Sequence, residues 1–365
     1  MQLCEFVPGR GLHLTEKAKP VHKTGIRKTI GNKMMKNTVK IFAAGALGAA
    51  MVLGAAGVYA DDLTPITFCL DWTPNTNHTG LYVAQSLGYY EEAGLDVTIV
   101  QPPTNGAALM CASGQAQFAI EAQDTMAAAL DSDSPLAVTA VAGVLQHNTS
   151  GIISRAGEGL DTPAGLAGKT YSTWESPIEL AMIKNVMEAE GADFDSVQLI
   201  PNNITDEPAA LAANQTDAIW VFYGWGGINA TIEDVDCDFW FFSDISPELD
   251  YYTPVIIANN DFLENDPETA KAFLEATKKG YEYAVENPEE AAELLIAGDN
   301  TGSLAGSEEL VMASQEWISG QYVADEASWG LINEERWNAF YSWLYENGLT
   351  ERDLTGIGYS NDYLG

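Results

Sequence analysis

Basic residues are scarce in this 365-residue chain: 17 Lys and Arg stand against 52 Asp and Glu, a net charge of −35. Nine of the bases but only two of the acids lie in residues 1–60, so the rest carries 8 bases, 50 acids and a net charge of −42. So acidic a surface argues against nucleic acid and anionic membranes as partners. It implies strong solubility and names no ligand.

Cysteine and histidine are as sparse. After residue 60 only Cys69, Cys111, Cys237, His78 and His147 remain. There is no CxxC pair and no His close to a Cys, so neither a metal set nor a disulfide framework is expected. The cysteines read as small buried apolar residues. Long apolar runs are also missing, with one exception. Lys36 and Lys40 precede the low-charge stretch 41–60, which ends Val58-Tyr59-Ala60. A basic start, a soft apolar run and a small-x-small end predict a secretory signal peptide cleaved before Asp61. A single membrane anchor is the competing reading, since the run is near spanning length. Its Ala and Gly content and the cleavage pattern favour removal, and hence a periplasmic or other extracytoplasmic protein. Met34 or Met35 gives a signal of ordinary length. No cysteine follows the segment, so no lipid attachment is expected.

What the chain does have is a repeated order of short strand, polar loop and helix, the pattern of an α/β fold. Ile66 to Leu70 predicts a buried strand. Asp71-Trp72-Thr73-Pro74-Asn75-Thr76-Asn77-His78 breaks it, because Pro74 lacks a donor and Asn and Thr favour turns. A helix is predicted at 80–88 and a second strand at 96–100. Further strands are expected at 117–120, 137–144, 168–172, 197–200, 217–222 and 255–259. Ser176 caps, and Pro177 opens, a periodic helix to Glu190. From Pro267 onward four amphipathic helices follow. Their aromatic residues, Trp317, Trp337, Tyr341 and Trp343, read as core.

In open α/β sheets ligands bind outside the carboxyl ends of the strands. Four loops there carry unusual side chains: Asp71, Trp72, Asn75, Asn77 and His78; Gln123 and Asp124; Trp174 and Glu175; Tyr223 and Trp225. Asp250 and Tyr252 join them. Taken singly, such aromatic residues mostly pack and such acids mostly face solvent; the shared placement after strands is what makes them candidates. Aromatic faces with a few carboxylates and amides suit a flat polar heterocycle that stacks on the rings and is read along its edges.

The segments DWTPNTNHTGLYVAQSLGYYEEAGLDVTIV at 71–100, WVFYGWGGI at 220–228 and LDYYTPVIIANNDFL at 249–263 carry a family likeness. The chain resembles the thiamine-pyrimidine family of periplasmic binding proteins, above all the ThiY-type receptors for a formylated aminomethyl-pyrimidine. The resemblance implies a two-lobed type II periplasmic-binding-protein fold with the ligand in the cleft and extra C-terminal helices. Lobe 1 is expected at 61–153 plus 254–365 and lobe 2 at 154–253. It further implies a monomeric, cofactor-free receptor that leaves its ligand unchanged and works with an ABC permease and ATPase. Relatives in the wider family take nitrate, taurine or other sulfonates, the alternative reading here. ThiY-like chains tend to carry an acid where this one has Gly226, and often Gly where it has Glu175. The expectation is that the ligand-reading carboxylate has moved to Glu175. The same fold also serves a pyrimidine synthase that draws on its own histidine and pyridoxal phosphate, and His78 matches that histidine. But Glu121 stands where the cofactor lysine is expected, and Asp250-Tyr251-Tyr252-Thr253 replaces the cysteine-rich iron motif. Without a lysine no Schiff base can form.

Overall fold

The computed structural model describes residues 12–13, 63–324 and 328–365. The apolar run at 41–60 and the cleavage position expected before Asp61 lie outside the described residues. Eleven strands form two mixed sheets. The first holds β2 (Thr64–Cys69), β3 (Leu95–Val100), β4 (Phe118–Glu121), β5 (Val138–Gly143) and β11 (Val255–Asn259), in the order β3-β2-β4-β11-β5. The second holds β1 (Leu12–His13), β6 (Ser150–Arg155), β7 (Thr170–Thr173), β8 (Gln198–Pro201), β9 (Ala218–Phe222) and β10 (Cys237–Phe241), in the order β1-β10-β6-β9-β7-β8.

The two sheets share one plan. β3, β2 and β4 run parallel, and β11 and β5 follow antiparallel. β8, β7 and β9 run parallel, and β6 and β10 follow antiparallel. Between β2 and β11 the chain crosses from one sheet to the other twice, in 144–149 and again in 242–254. All of β6 pairs in the second sheet, so the first crossing falls before Ser150. Within each sheet the parallel strands end on one side, which brings their following loops together.

Local chemistry explains most elements. Every residue of β11 is buried, as a strand inside a covered sheet requires. Ser176 and Glu179 form a reciprocal capping box around the helix Pro177–Ala189. Gly280 of the helix Pro267–Glu286 lies against the helix Thr79–Ser86 so closely that a Cβ would sit 2.0 Å from the Gly80 carbonyl oxygen. Phe273 then reaches the first sheet, stacking on Phe118 at 4.1 Å and Tyr90 at 5.3 Å between centroids. Burying such a ring contributes roughly 2–3 kcal/mol. The C-terminal helices Pro288–Gly298, Glu308–Ile318 and Glu334–Glu346 match expectation, and Trp337, Tyr341 and Trp343 are buried. Cys69, Cys111 and Cys237 are buried and unpaired. Burial pushes the Cys111 thiol up to about 12.

Three local expectations are corrected. The polar loop at 121–125 is almost absent: the helix starts at Gln123, with the Ala122 carbonyl accepting from Met126 N–H at 3.0 Å. A strand at Cys237–Phe241, β10, is not among the expected ones; it pairs antiparallel with β6 in the second sheet. A helix at Asn260–Asn265 was not expected; the Asn259 side chain caps it, accepting from Phe262 N–H at 2.8 Å.

Candidate ligand-binding cleft

A cleft of about 450 Å³ lies where the strand-end loops of the two sheets meet. From the first sheet come Asp71, Trp72, Asn75 and Asn77 after β2, and Ala122 after β4. From the second come Trp174 after β7; Asn202, Ile204, Thr205 and Glu207 after β8; and Trp220, Val221, Phe222, Trp225 and Gly226 at the end of β9. Thr253 and Pro254 close the floor at the second crossing.

The wall after β2 is held by its own polar groups. Asn75 caps a short helical turn at Thr76–His78, its Oδ1 accepting from Asn77 N–H at 2.9 Å and its Nδ2 donating to the Thr73 carbonyl at 3.0 Å. His78 is fully buried. Its Nδ1 accepts from Asn75 N–H at 3.2 Å, so Nε2 carries the proton and donates to Asp71 Oδ1 at 2.7 Å. That fixes the Asp71 carboxylate. Its other oxygen, Oδ2, has no hydrogen-bond partner among the described residues. The turn is tied down further by Tyr281 Oη donating to the Asn77 carbonyl at 2.7 Å, by Tyr322 Oη on the Thr76 carbonyl, and by Thr79 Oγ1 on Gln315 Oε1 at 2.5 Å.

The opposite wall is mainly aromatic. Trp174 is 52% exposed and tilts against Trp220 at 5.9 Å between centroids. Its loop is shaped by the buried Glu179, which accepts from Tyr171 Oη at 2.6 Å, Thr173 Oγ1 at 2.9 Å and Trp174 N–H at 3.2 Å. Trp225 sits in a wide helical turn at Tyr223–Gly227 and packs partly on the cluster of Leu295, Leu304 and Val311. Trp72, 60% exposed, offers an aromatic face from the first wall. Two buried polar atoms on cleft residues have no partner among the described residues: Asn77 Oδ1 on one wall and Trp220 Nε1 on the other. A buried polar group without a partner costs free energy that a matching ligand atom recovers.

Among the described residues, Asp71 and Glu207 are the only charged ones lining the cleft, and no Lys, Arg or His does so. Burial raises the Glu207 carboxyl above its ordinary value, with its own backbone N–H opposing and Asp206 adding to the effect. Nearby, burial raises Glu121, whose Oε1 accepts from Ala122 N–H at 3.1 Å and from Thr125 Oγ1. Burial also pushes Asp124, in the first turn of its helix, up to about 6.

Of the sequence candidates, Asp71, Trp72, Asn75, Asn77, Trp174 and Trp225 line the cleft together. The other seven do not. His78 stands behind Asp71. Gln123 is buried, joining the Tyr252 N–H to its Oε1 at 3.0 Å and donating to the Trp337 carbonyl at 2.8 Å. Asp124 lies within the helix Gln123–Leu130. Tyr223 packs against Phe239 and Trp317 at 5.1 and 5.0 Å. Tyr252 Oη accepts from Asn333 N–H at 2.8 Å, beneath the Arg336 guanidinium. Asp250 ties the two crossings to the C-terminal helix, accepting from His147 Nδ1 at 2.6 Å and Asn148 N–H at 2.9 Å and forming an ion pair with Arg336 Nε at 3.3 Å. Glu175 is exposed in left-handed backbone at φ +62°, so the carboxylate expected there is outside the cleft and Glu207 is inside it. A Cβ on Gly226 would meet the Val221 Cβ at 2.8 Å, so this chain has no room for a side chain at that turn without repacking.

The residues that sequence reading missed are those after β8 and the end of β9. The signal was present: Pro201-Asn202-Asn203-Ile204-Thr205-Asp206 is a polar stretch directly after a strand, the feature that marked the other loops. Trp220 and Phe222 read as strand residues, and only the meeting of two sheets turns them into cleft wall.

Comparison with known proteins agrees with this geometry. The family described as NMT1/THI5 like matches residues 75–291. A formylaminopyrimidine-binding protein from Halalkalibacterium halodurans is 31% identical over 300 residues, 80% of this chain and 88% of that one. A 4-amino-5-hydroxymethyl-2-methylpyrimidine phosphate synthase from Legionella pneumophila is 26% identical over 243 residues, 63% of this chain and 72% of that one. Among solved structures, the periplasmic nitrate-binding protein from Synechocystis superposes with a TM-score of 0.63 at 14% identity, covering 83% of this chain and 87% of that one. The alkanesulfonate-binding protein from Xanthomonas axonopodis pv. citri gives 0.61 at 12%, covering 82% and 99%. These structures share the two-lobed α/β fold. The chain belongs to the NMT1/THI5-like family.

Proposed function

We propose that this chain is the extracytoplasmic substrate-binding protein of an ABC importer, and that it holds a thiamine-precursor pyrimidine of the formyl-aminomethyl type without changing it. One observation carries the reading: among the described residues, four tryptophans and two carboxylates line the cleft, with no cationic side chain beside them. Nitrate or a sulfonate would have to enter an anionic, aromatic cleft with no charge to receive it, which speaks against the alternative ligands. A flat aminopyrimidine suits the same surface, since its ring stacks between indoles and its amine donates to a carboxylate. Asp71 is assigned the amine, Trp72 and Trp174 the ring faces, and Asn77 and Trp220 further edge contacts. The 31% identical receptor for a formylaminopyrimidine supports the same ligand class.

The two sheets are the centres of two lobes, with the crossings at 144–149 and 242–254 as hinge. Ligand bridging both walls would stabilise the closed form. Against a synthase reading, no lysine lines the cleft to anchor pyridoxal phosphate, and His78 is buried behind Asp71 with both ring nitrogens engaged. A permease and an ATPase are the partners such a receptor needs. Isothermal titration of the exported protein with thiamine pyrimidines, nitrate and taurine tests the reading. Heat from a pyrimidine alone, and its recovery unchanged, are the expected results. Tight taurine or nitrate binding without any response to pyrimidines would overturn it.

A further inference from the structure

The cleft carries one more carboxylate than a neutral aminopyrimidine can use. Asp71, on the first wall, is oriented by His78 and can accept from the ring amine. Glu207, on the second wall, opens the helix Glu207–Ala212, and among the described residues the only hydrogen bond to its carboxylate is from its own backbone N–H. No cation lines the cleft to neutralise it. As the walls close, a carboxylate without a counter-charge loses hydration and recovers nothing for it. Burial already disfavours the charged form of Glu207. A ligand with a second donor, carrying positive charge, would remove that cost. An N-formylated aminomethyl arm is neutral, whereas a free aminomethyl arm is an ammonium at neutral pH.

We propose that Glu207 is a specificity-determining residue that makes this receptor prefer the free, protonated aminomethyl-pyrimidine over its N-formyl derivative. The proposal rests on the pyrimidine reading above and takes the free amine, rather than the N-formyl derivative named there, as the preferred ligand. Asp71 reads the ring amine in both ligands, and Glu207 reads only the ammonium. Its place after β8, on a different loop from Glu175 and Gly226, gives the chain a carboxylate where neither of those positions supplies one to the cleft.

The test is calorimetric titration of wild type, Glu207→Gln and Glu207→Asp with 4-amino-5-aminomethyl-2-methylpyrimidine and with its N-formyl derivative, at pH 7. A charged hydrogen bond is worth about ten- to a hundredfold in affinity, and wild type should prefer the free amine by that factor. Glu207→Gln should erase the preference by weakening the amine while leaving the formyl ligand within about twofold. Glu207→Asp, which keeps the charge on a shorter arm, should retain part of it. No other described residue hydrogen-bonds or ion-pairs with the Glu207 carboxylate, so circular dichroism should report an unchanged fold in Glu207→Gln. Equal or tighter binding of the formyl ligand to wild type, or an equal loss of both ligands in Glu207→Gln, would overturn the preference and leave the pyrimidine reading intact. Failure of both ligands to bind wild type would overturn the two together.

Discussion

The two walls of the cleft are built from equivalent strands of equivalent sheets, yet they are held in opposite ways. After β2, nearly every polar group is tied inside the first lobe: Asn75 to Asn77 and Thr73, His78 to Asn75 and Asp71, Thr76 and Asn77 to Tyr322 and Tyr281. After β7 and β9, the wall is indole and phenyl surface shaped by packing, and one buried carboxylate, Glu179, sets the Trp174 loop. The first wall therefore fixes direction, as hydrogen bonds do, and the second supplies area, as aromatic rings do. Recognition needs both, because stacking alone tolerates many rings and a lone carboxylate accepts many amines.

The comparison can be broken most severely at Glu179. Glu179→Ala leaves the Tyr171 hydroxyl, the Thr173 hydroxyl and the Trp174 N–H without their buried acceptor. We expect a loss of about 3 kcal/mol in unfolding by denaturant, with pyrimidine affinity falling as the Trp174 loop loosens. Trp174→Ala removes area without touching the network. It should weaken the pyrimidine about ten- to a hundredfold in titration, with little change in stability. Unaltered affinity would mean that Trp174 is not a stacking face.

Asp124, outside the cleft in the helix after β4, tests the first sheet's side of the molecule through pH. Burial raises its folded pKa from 3.8 to about 6. A raised acid contributes stability that is complete below the unfolded value and lost as pH rises through the folded one. Asp124→Asn cannot titrate, so it should gain about 2 kcal/mol over wild type at pH 8 and flatten the change between pH 5 and 7, read by thermal unfolding. His78→Asn removes the donor that orients Asp71. Affinity should fall by up to about tenfold, because Asp71 remains but turns freely. A loss beyond a hundredfold would show that the imidazole itself touches the ligand. The smallest effect is expected at Glu175, which is exposed and outside the cleft. Glu175→Gln should leave affinity unchanged, while Glu175→Gly should stabilise the fold by about 1 kcal/mol by relieving the left-handed backbone.

Much of this was legible in the chain. Apolar runs between turn residues located the strands, Ser176-Pro177 and Glu179 announced their helix, and the Asp71 to His78 loop stood out because no strand or helix could absorb it. The rule that ligands meet strand ends picks out Asp71, Trp72, Asn75, Asn77, Trp174 and Trp225, which line one cleft. It also drew in Gln123, Tyr223, Asp250 and Tyr252, which have the right chemistry and a buried structural use. A sequence lists what a side chain can do but not which neighbour it meets, and each of these is satisfied by a residue distant in the chain, such as Trp337, Trp317 or Arg336.

Sequence alone determined the alternation of strands and helices, the acidic surface and the loops that break the pattern, because these depend on residues a few positions apart. Only the tertiary structure decided which carboxylate faces the cleft. Glu175 and Glu207 both follow strands of the second sheet. One sits in left-handed backbone facing solvent, and the other begins a helix beside β9. That choice belongs to the packing of β7, β8 and β9 and to the wall that the first sheet brings opposite them.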